Sequence, residues 1–158
     1  MTRPPLPAPP HRGGCLCGAV RFAYAARPLG LNACHCMDCK KLSGADAFHV
    51  LMGERAALVH ESGELTRWRK RADSGREVDI VRCAACGVRL WHEPVSAPTF
   101  AFICAGALDD SSWFVPSSHI WVEKAGASFT PAPDALLVEG QPPDRAALFA
   151  AFDRLYPP

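Results

Sequence analysis

"NACHCMDCKKLSGA", residues 32–45, sets Cys34, Cys36 and Cys39 within six positions, a density of thiols that core packing does not require. Three thiols are one too few for a closed tetrahedral metal site and one too many for a disulfide. The stretch therefore asks where a fourth ligand lies, or whether one position is left open. The other cysteines fall as Cys15-x-Cys17, Cys83-x-x-Cys86 and a lone Cys104.

Composition narrows the chemistry. The 158 residues carry 17 basic and 16 acidic side chains, a net charge of +1, which gives no global electrostatic reason to expect nucleic acid or an anionic membrane. "TRWRKR" at 66–71 mixes an aromatic residue with cations, but nearby Glu61, Glu64, Asp73 and Glu77 offset it. No apolar run approaches the roughly 20 residues of a membrane span, and the N-terminus lacks the apolar core of a secretory signal. The expectation is a cytoplasmic protein. Five prolines in the first ten residues predict an extended, solvated tail over 1–12, with a single zinc domain over 13–158. In a reducing compartment eight cysteines point to metal rather than to disulfides.

Ligand counting divides the thiols. "VDIVRCAACGVRLWHE", residues 78–93, runs from a β-rich segment through CxxCG into another, and Gly87 supplies the positive φ that turns backbone N–H groups toward sulfur. This zinc knuckle brings two thiolates. "GGCLCGAVRF", residues 13–22, offers two more, because alternate residues of an extended segment share a face. Cys15, Cys17, Cys83 and Cys86 then close one structural site across distant parts of the chain. Cys34, Cys36 and Cys39 are left with an exchangeable fourth position, the arrangement of a catalytic zinc that activates bound water or a substrate thiol. His35, Cys104 or a distant histidine could instead close that site.

The predicted architecture is mostly β: "VRFAY", "AFHVLM", "AALVHES", "LTRWRK", "EVDIVR", "VRLWHE", "TFAFICAGAL" and "HIWVEK" are short β-branched or aromatic segments between Gly, Pro and charged residues. A turn or two of helix follows the CxCxxC run and ends at Gly44. A C-terminal helix places Leu148, Phe149, Phe152, Leu155 and Tyr156 on one face, with Asp144 as N-cap.

"GGCLCGAVRF", "CHCMDCKKLSGA", "CAACGVRL", "AGALDD" and "HIWVEKA" occur in the order that characterises the glutathione-dependent formaldehyde-activating enzyme family, also called the GFA or CENP-V/GFA family, and the chain resembles it over about residues 13–130. The resemblance implies an Mss4-like β-tent of short antiparallel strands with two zinc ions, and the same partition of cysteines. It implies a carbon–sulfur lyase of the S-(hydroxymethyl)glutathione synthase type, with glutathione as co-substrate and small-molecule thiol and carbonyl partners. Lys40 and Lys41 satisfy the family's basic position after CxCxxC and are candidates to bind the acidic thiol. Phe129 stands near where the family often has a tryptophan.

Single residues have competing roles. His119 could face the open zinc as a ligand or proton shuttle, or be a structural histidine. Cys104, in an apolar segment, reads as a small buried hydrophobe or as a fourth ligand. The expected chemistry is activation of a thiol for attack on a carbonyl carbon, and the reverse cleavage of a hemithioacetal. The alternative is a zinc-stabilised binding module without turnover, whose closed sites would not exchange a ligand with added thiol.

Overall fold

The computed structural model describes residues 3–72 and 75–158. Among these, eleven strands make two sheets. The smaller has the order β1 (His11–Gly14), β2 (Arg21–Tyr24), β5 (Leu58–Ser62). The larger runs β11 (Leu136–Val138), β10 (Ser118–Ile120), β3 (Gly30–Cys34), β4 (Phe48–Glu54), β9 (Phe100–Cys104), β8 (Arg89–Pro94), β7 (Glu77–Cys83), β6 (Leu65–Arg71). The mostly β class expected from the sequence is the one observed. Pairing is antiparallel except at β10, which runs parallel to both β3 and β11.

Strand β3 is buried along its whole length and sits between β10 and β4. It was not legible as a strand: "GLNAC" has neither alternation nor β-branched residues, and it is held by its neighbours rather than by propensity. Its last residue, Cys34, lies opposite Ile120 on one side and Phe48 on the other.

The two sheets meet over Phe22, Tyr24, Leu31, Leu51, Trp91 and Ile103, all fully buried, with Phe22 edge-on to Trp91 at 5.7 Å. Each such side chain contributes roughly 1.5–3 kcal/mol. The surface ion pair Arg12–Glu61 on the small sheet, with side chains 54% and 33% exposed, contributes about 0–1 kcal/mol. Apolar burial therefore holds the small sheet in place.

The N-terminal stretch differs from the solvated tail expected of it. Arg3 donates to the carbonyls of Val115 (3.2 Å) and Pro116 (3.0 Å), and its guanidinium lies 5.7 Å over the Tyr156 ring. Leu6 packs on the core, and strand structure begins at His11. Proline still excludes helix here, but an extended chain presents its carbonyls and side chains to a neighbouring surface as readily as to water.

Helix α1 (Met37–Ser43) ends at Gly44, which adopts the left-handed conformation at φ 66° and donates its N–H to the Lys40 carbonyl. Helix α2 (Ala146–Leu155) buries Leu148, Ala151 and Phe152 against β3 and β10. Asp144 accepts from the Ala146 N–H at 2.8 Å, two residues ahead of the helix it was expected to cap.

Candidate metal centres

The Sγ atoms of Cys15, Cys17, Cys83 and Cys86 all lie within 4.8 Å of one another. Cys15 and Cys17 sit on the turn between β1 and β2, and Cys83 ends β7 before the turn into β8. Local hydrogen bonding shapes both halves: the Val20 N–H donates to Cys15 Sγ (3.2 Å) and the Cys86 N–H to Cys83 Sγ (3.4 Å). Gly87, at φ 74°, makes the second turn possible without a Cβ clash. Neither pair is a disulfide, since Cys15 and Cys17 sulfurs are 3.4 Å apart and all eight cysteines are free.

Cys34, Cys36 and Cys39 form the second cluster, again with mutual separations within 4.8 Å. Cys34 is placed by β3, Cys36 is the N-cap of α1 and accepts from the Cys39 N–H (3.4 Å), and Cys39 lies in the helix's first turn. Their proton affinities diverge. Hydrogen bonds from the Cys34 and Cys39 thiols, with a contribution from Lys70, pull Cys36 down to about 2, while Cys36 in turn pushes Cys34 up to about 12 and Cys39, held by both neighbours, upward as well. Packed together, the thiols oppose the ionisation of more than one of them, an opposition that a cation among them would relieve. In the four-cysteine group two thiols are favoured as anions, Cys15 and Cys86, the latter by the Val88 and Cys17 N–H groups. Burial opposes ionisation of Cys15, but the Val20 N–H and Cys17 thiol bring it to about 6; the Ala19 N–H favours the Cys17 thiolate, but Cys15 and Cys86 push that thiol to about 12.

The clusters differ in what surrounds them. The three-cysteine group opens on a cleft of about 510 Å³ walled by residues of β4, β7, β9, β10 and α2. Lys70 lines this cleft with its side chain only 12% exposed and is ion-paired to Asp38 of α1. His92 lines it too: 7% exposed, stacked on Phe48 at 5.1 Å, with Nε2 buried and without a hydrogen-bond partner. Burial first, then the charges of Arg89 and Lys70, hold His92 neutral by lowering its pKa to about 3.

The remaining predicted residues are elsewhere. His119 pairs with Ala33, one position before Cys34, so it projects from the opposite face of the sheet to the cleft-lining Ile120. There its Nδ1 meets His35 Nε2 at 3.1 Å, its Nε2 accepts from the Ala132 N–H at 3.2 Å, and Phe129 stands edge-on to both rings at 4.4 and 4.9 Å. The structure thus leaves both His35 and His119 outside the thiol cluster, in a buried aromatic cage. Lys40 donates to the Lys124 carbonyl at 2.6 Å, and Lys41 borders a different hollow with Arg82 and Arg89. The cations on the cleft are Lys70, Arg76 and Arg145. Lys70 and Arg76 stand in a basic stretch visible in the sequence, whereas sequence distance hid Arg145, which the C-terminal helix delivers. Cys104 is buried at the end of β9, apart from both clusters, and its burial lifts the thiol to about 12.

A mostly β chain with one thiol cluster built from two turns and a second opening on a cleft defines a small two-centre cysteine-site protein. The chain belongs to the glutathione-dependent formaldehyde-activating enzyme family, whose model matches residues 10–124. Its fold also resembles the crystal structure of a Rhodobacter sphaeroides protein solved as a structural-genomics target. There the TM-score is 0.50 at 20% identity, covering 62% of this chain and 87% of that one. Among the described residues no helix is long and apolar enough to cross a membrane.

Proposed function

We propose that the chain is a zinc-dependent carbon–sulfur lyase/synthase acting on a thiol–aldehyde adduct, of the S-(hydroxymethyl)glutathione synthase type, with two zinc ions per chain. The observation that carries this is the contrast between the clusters: four thiols are enough to close a tetrahedral site, while three thiols face a cleft large enough for a small organic ligand. The donor sets fit zinc. Four sulfurs at about 2.3 Å from a common centre stand about 3.8 Å apart; the Cys17 and Cys83 sulfurs are 3.8 Å apart, Cys15 and Cys17 a little closer at 3.4 Å, and all four lie within 4.8 Å of one another.

Zinc bound by Cys34, Cys36 and Cys39 would supply Lewis acidity that lowers the pKa of a thiol arriving at the fourth position. The chain's own residues would then orient the reactants and exclude water. In the synthetic direction the thiol sulfur's electron pair forms the S–C bond, the carbonyl π pair moves to oxygen, and the proton released by the thiol ends on that oxygen. Cleavage reverses each step. The buried, neutral His92 and the apolar residues of the cleft wall would lower the local polarity beside the thiols, so charge developing on oxygen would be less screened than in water. Eight free cysteines suit a reducing cytoplasm.

Metal analysis of protein purified with its thiols reduced should return two zinc equivalents, and NMR of a thiol with formaldehyde should show hemithioacetal exchange accelerated by the protein. One equivalent or none, or exchange no faster than in buffer, would refute the proposal.

A further inference from the structure

The cleft's far end carries a charge arrangement that the thiol cluster does not explain. Arg76, from the segment entering β7, and Arg145, at the start of α2, both line it. Among the described residues no carboxylate is ion-paired with Arg76 or Arg145, as is also true of several other arginines, but these two share one cleft. The carboxylate of Asp144, also on the cleft, is engaged by the Ala146 N–H. Arg145 lies over the rings of Phe100 and Phe102, at 4.8 and 5.7 Å, cation–π contacts that hold its head against the cleft wall. Burial and the charge of Arg76 both disfavour its protonated form. Two like charges brought together by segments nearly seventy residues apart repel, and an anion between them relieves the repulsion.

Between this pair and the cysteines the walls are mainly apolar, with Met52, Val78, Phe102, Ile120, Trp121 and Leu148, and the polar groups among them are largely engaged: Lys70 by Asp38, the Asn32 amide oxygen by the Ser118 hydroxyl, and His92 held neutral. A ligand polar throughout would leave its amides and charges unpaired against them, at about 1–3 kcal/mol for each buried unpaired group. Glutathione, with two carboxylates, an ammonium and two amides, is such a ligand.

We infer that Arg76 and Arg145 form an oxyanion subsite, and that the cleft takes a thiol with an apolar stem and a single anionic group at the opposite end, in preference to glutathione. This rests on the proposed thiol binding at Cys34, Cys36 and Cys39. A guanidinium presents paired N–H donors to a carboxylate, so the contact is directional, and the stem's length sets whether sulfur and carboxylate engage together.

The test is calorimetric titration of the metal-loaded protein with 8-mercaptooctanoic acid, its neutral counterpart 8-mercapto-1-octanol, and glutathione. Cobalt-substituted protein, titrated in parallel, reports thiol ligation by its absorption. The mercapto acid should bind about 10-fold or more tighter than the mercapto alcohol, as expected for a charge-assisted bidentate contact, and tighter than glutathione. In Arg76→Gln/Arg145→Gln the acid and alcohol should converge while the alcohol's own affinity and cobalt response persist. Equal affinities for acid and alcohol in the parent, or glutathione as the tightest ligand, overturn the subsite without needing the variant. An acid preference that survives in a variant with parental circular dichroism also overturns it. Arginine-dependent binding with no change in the cobalt spectrum would instead uphold the subsite and refute thiol ligation.

Discussion

At the scale of single residues, the proposed function assigns stability to one cysteine group and chemistry to the other. Replacing Cys36 by Ser exchanges a soft sulfur for a poorly coordinating hydroxyl while leaving the four-thiol group and both sheets intact. The variant should retain one zinc equivalent and near-parental far-UV circular dichroism and lose hemithioacetal turnover; unfolding comparable to loss of a structural ligand would show that both metals are structural. His92 sets a pH response of definite sign. Its folded value near 3 lies below the ordinary 6.5, so the unfolded chain binds the extra proton and stability drains away as pH falls through that window, being fully present above it. In urea titrations at saturating metal, His92→Gln should reduce the slope of unfolding free energy against pH between about 6.5 and 3 by up to one proton. An unchanged slope would mean that His92 is not held neutral. The cysteines could be sorted from sequence because ligand counting needs only spacing and number. His92 could not be picked out, because nothing in "RLWHEP" says that its ring will be covered by Phe48 and flanked by Arg89 and Lys70. His119 was weighed as a zinc-facing residue because periodicity alone does not reveal which face of a three-residue strand meets the metal.

At the scale of elements, one close approach ties the two sheets. Gly53 of β4 lies beneath the ring of Tyr24 of β2, where an added Cβ would come within 2.4 Å of Cζ. The Glu54 N–H donates to the Tyr24 hydroxyl at 3.1 Å, and that hydroxyl donates onward to the Arg27 carbonyl at 3.3 Å. Gly53→Ala must displace a fully buried tyrosine and should cost about 3 kcal/mol or more by denaturant midpoint; a change below about 1 kcal/mol would show that the junction is slack. Helix α1 and its Gly44 cap were readable from the glycine stop after the CxCxxC run, whereas the Cys36 N-cap was not, since cysteine is not a usual capping residue. The parallel alignment of β10 with β3 was not: it depends on a crossover from the far end of the chain and has no local signal.

Over the whole molecule, the four-thiol group joins the turn after β1 to the turn after β7, segments that share no sequence proximity. Cys83→Ser should therefore cost several kcal/mol, given that structural zinc contributes on the order of 10 kcal/mol in small metal domains, and should lower the thermal midpoint markedly. A midpoint equal to the parent's would remove Cys83 from the structural site. The three-thiol group makes no such long-range tie, and its consequence lies in the cleft that β3, α1, the β6–β7 hairpin and α2 enclose. That division of labour is tested by loading both groups with cobalt and titrating with a small thiol while recording the ligand-field absorption. Two cobalt equivalents should bind, and the thiol should perturb the bands of one while the other stays fixed. A spectrum that shifts at neither centre, or at both, would contradict the assignment of one closed and one open site.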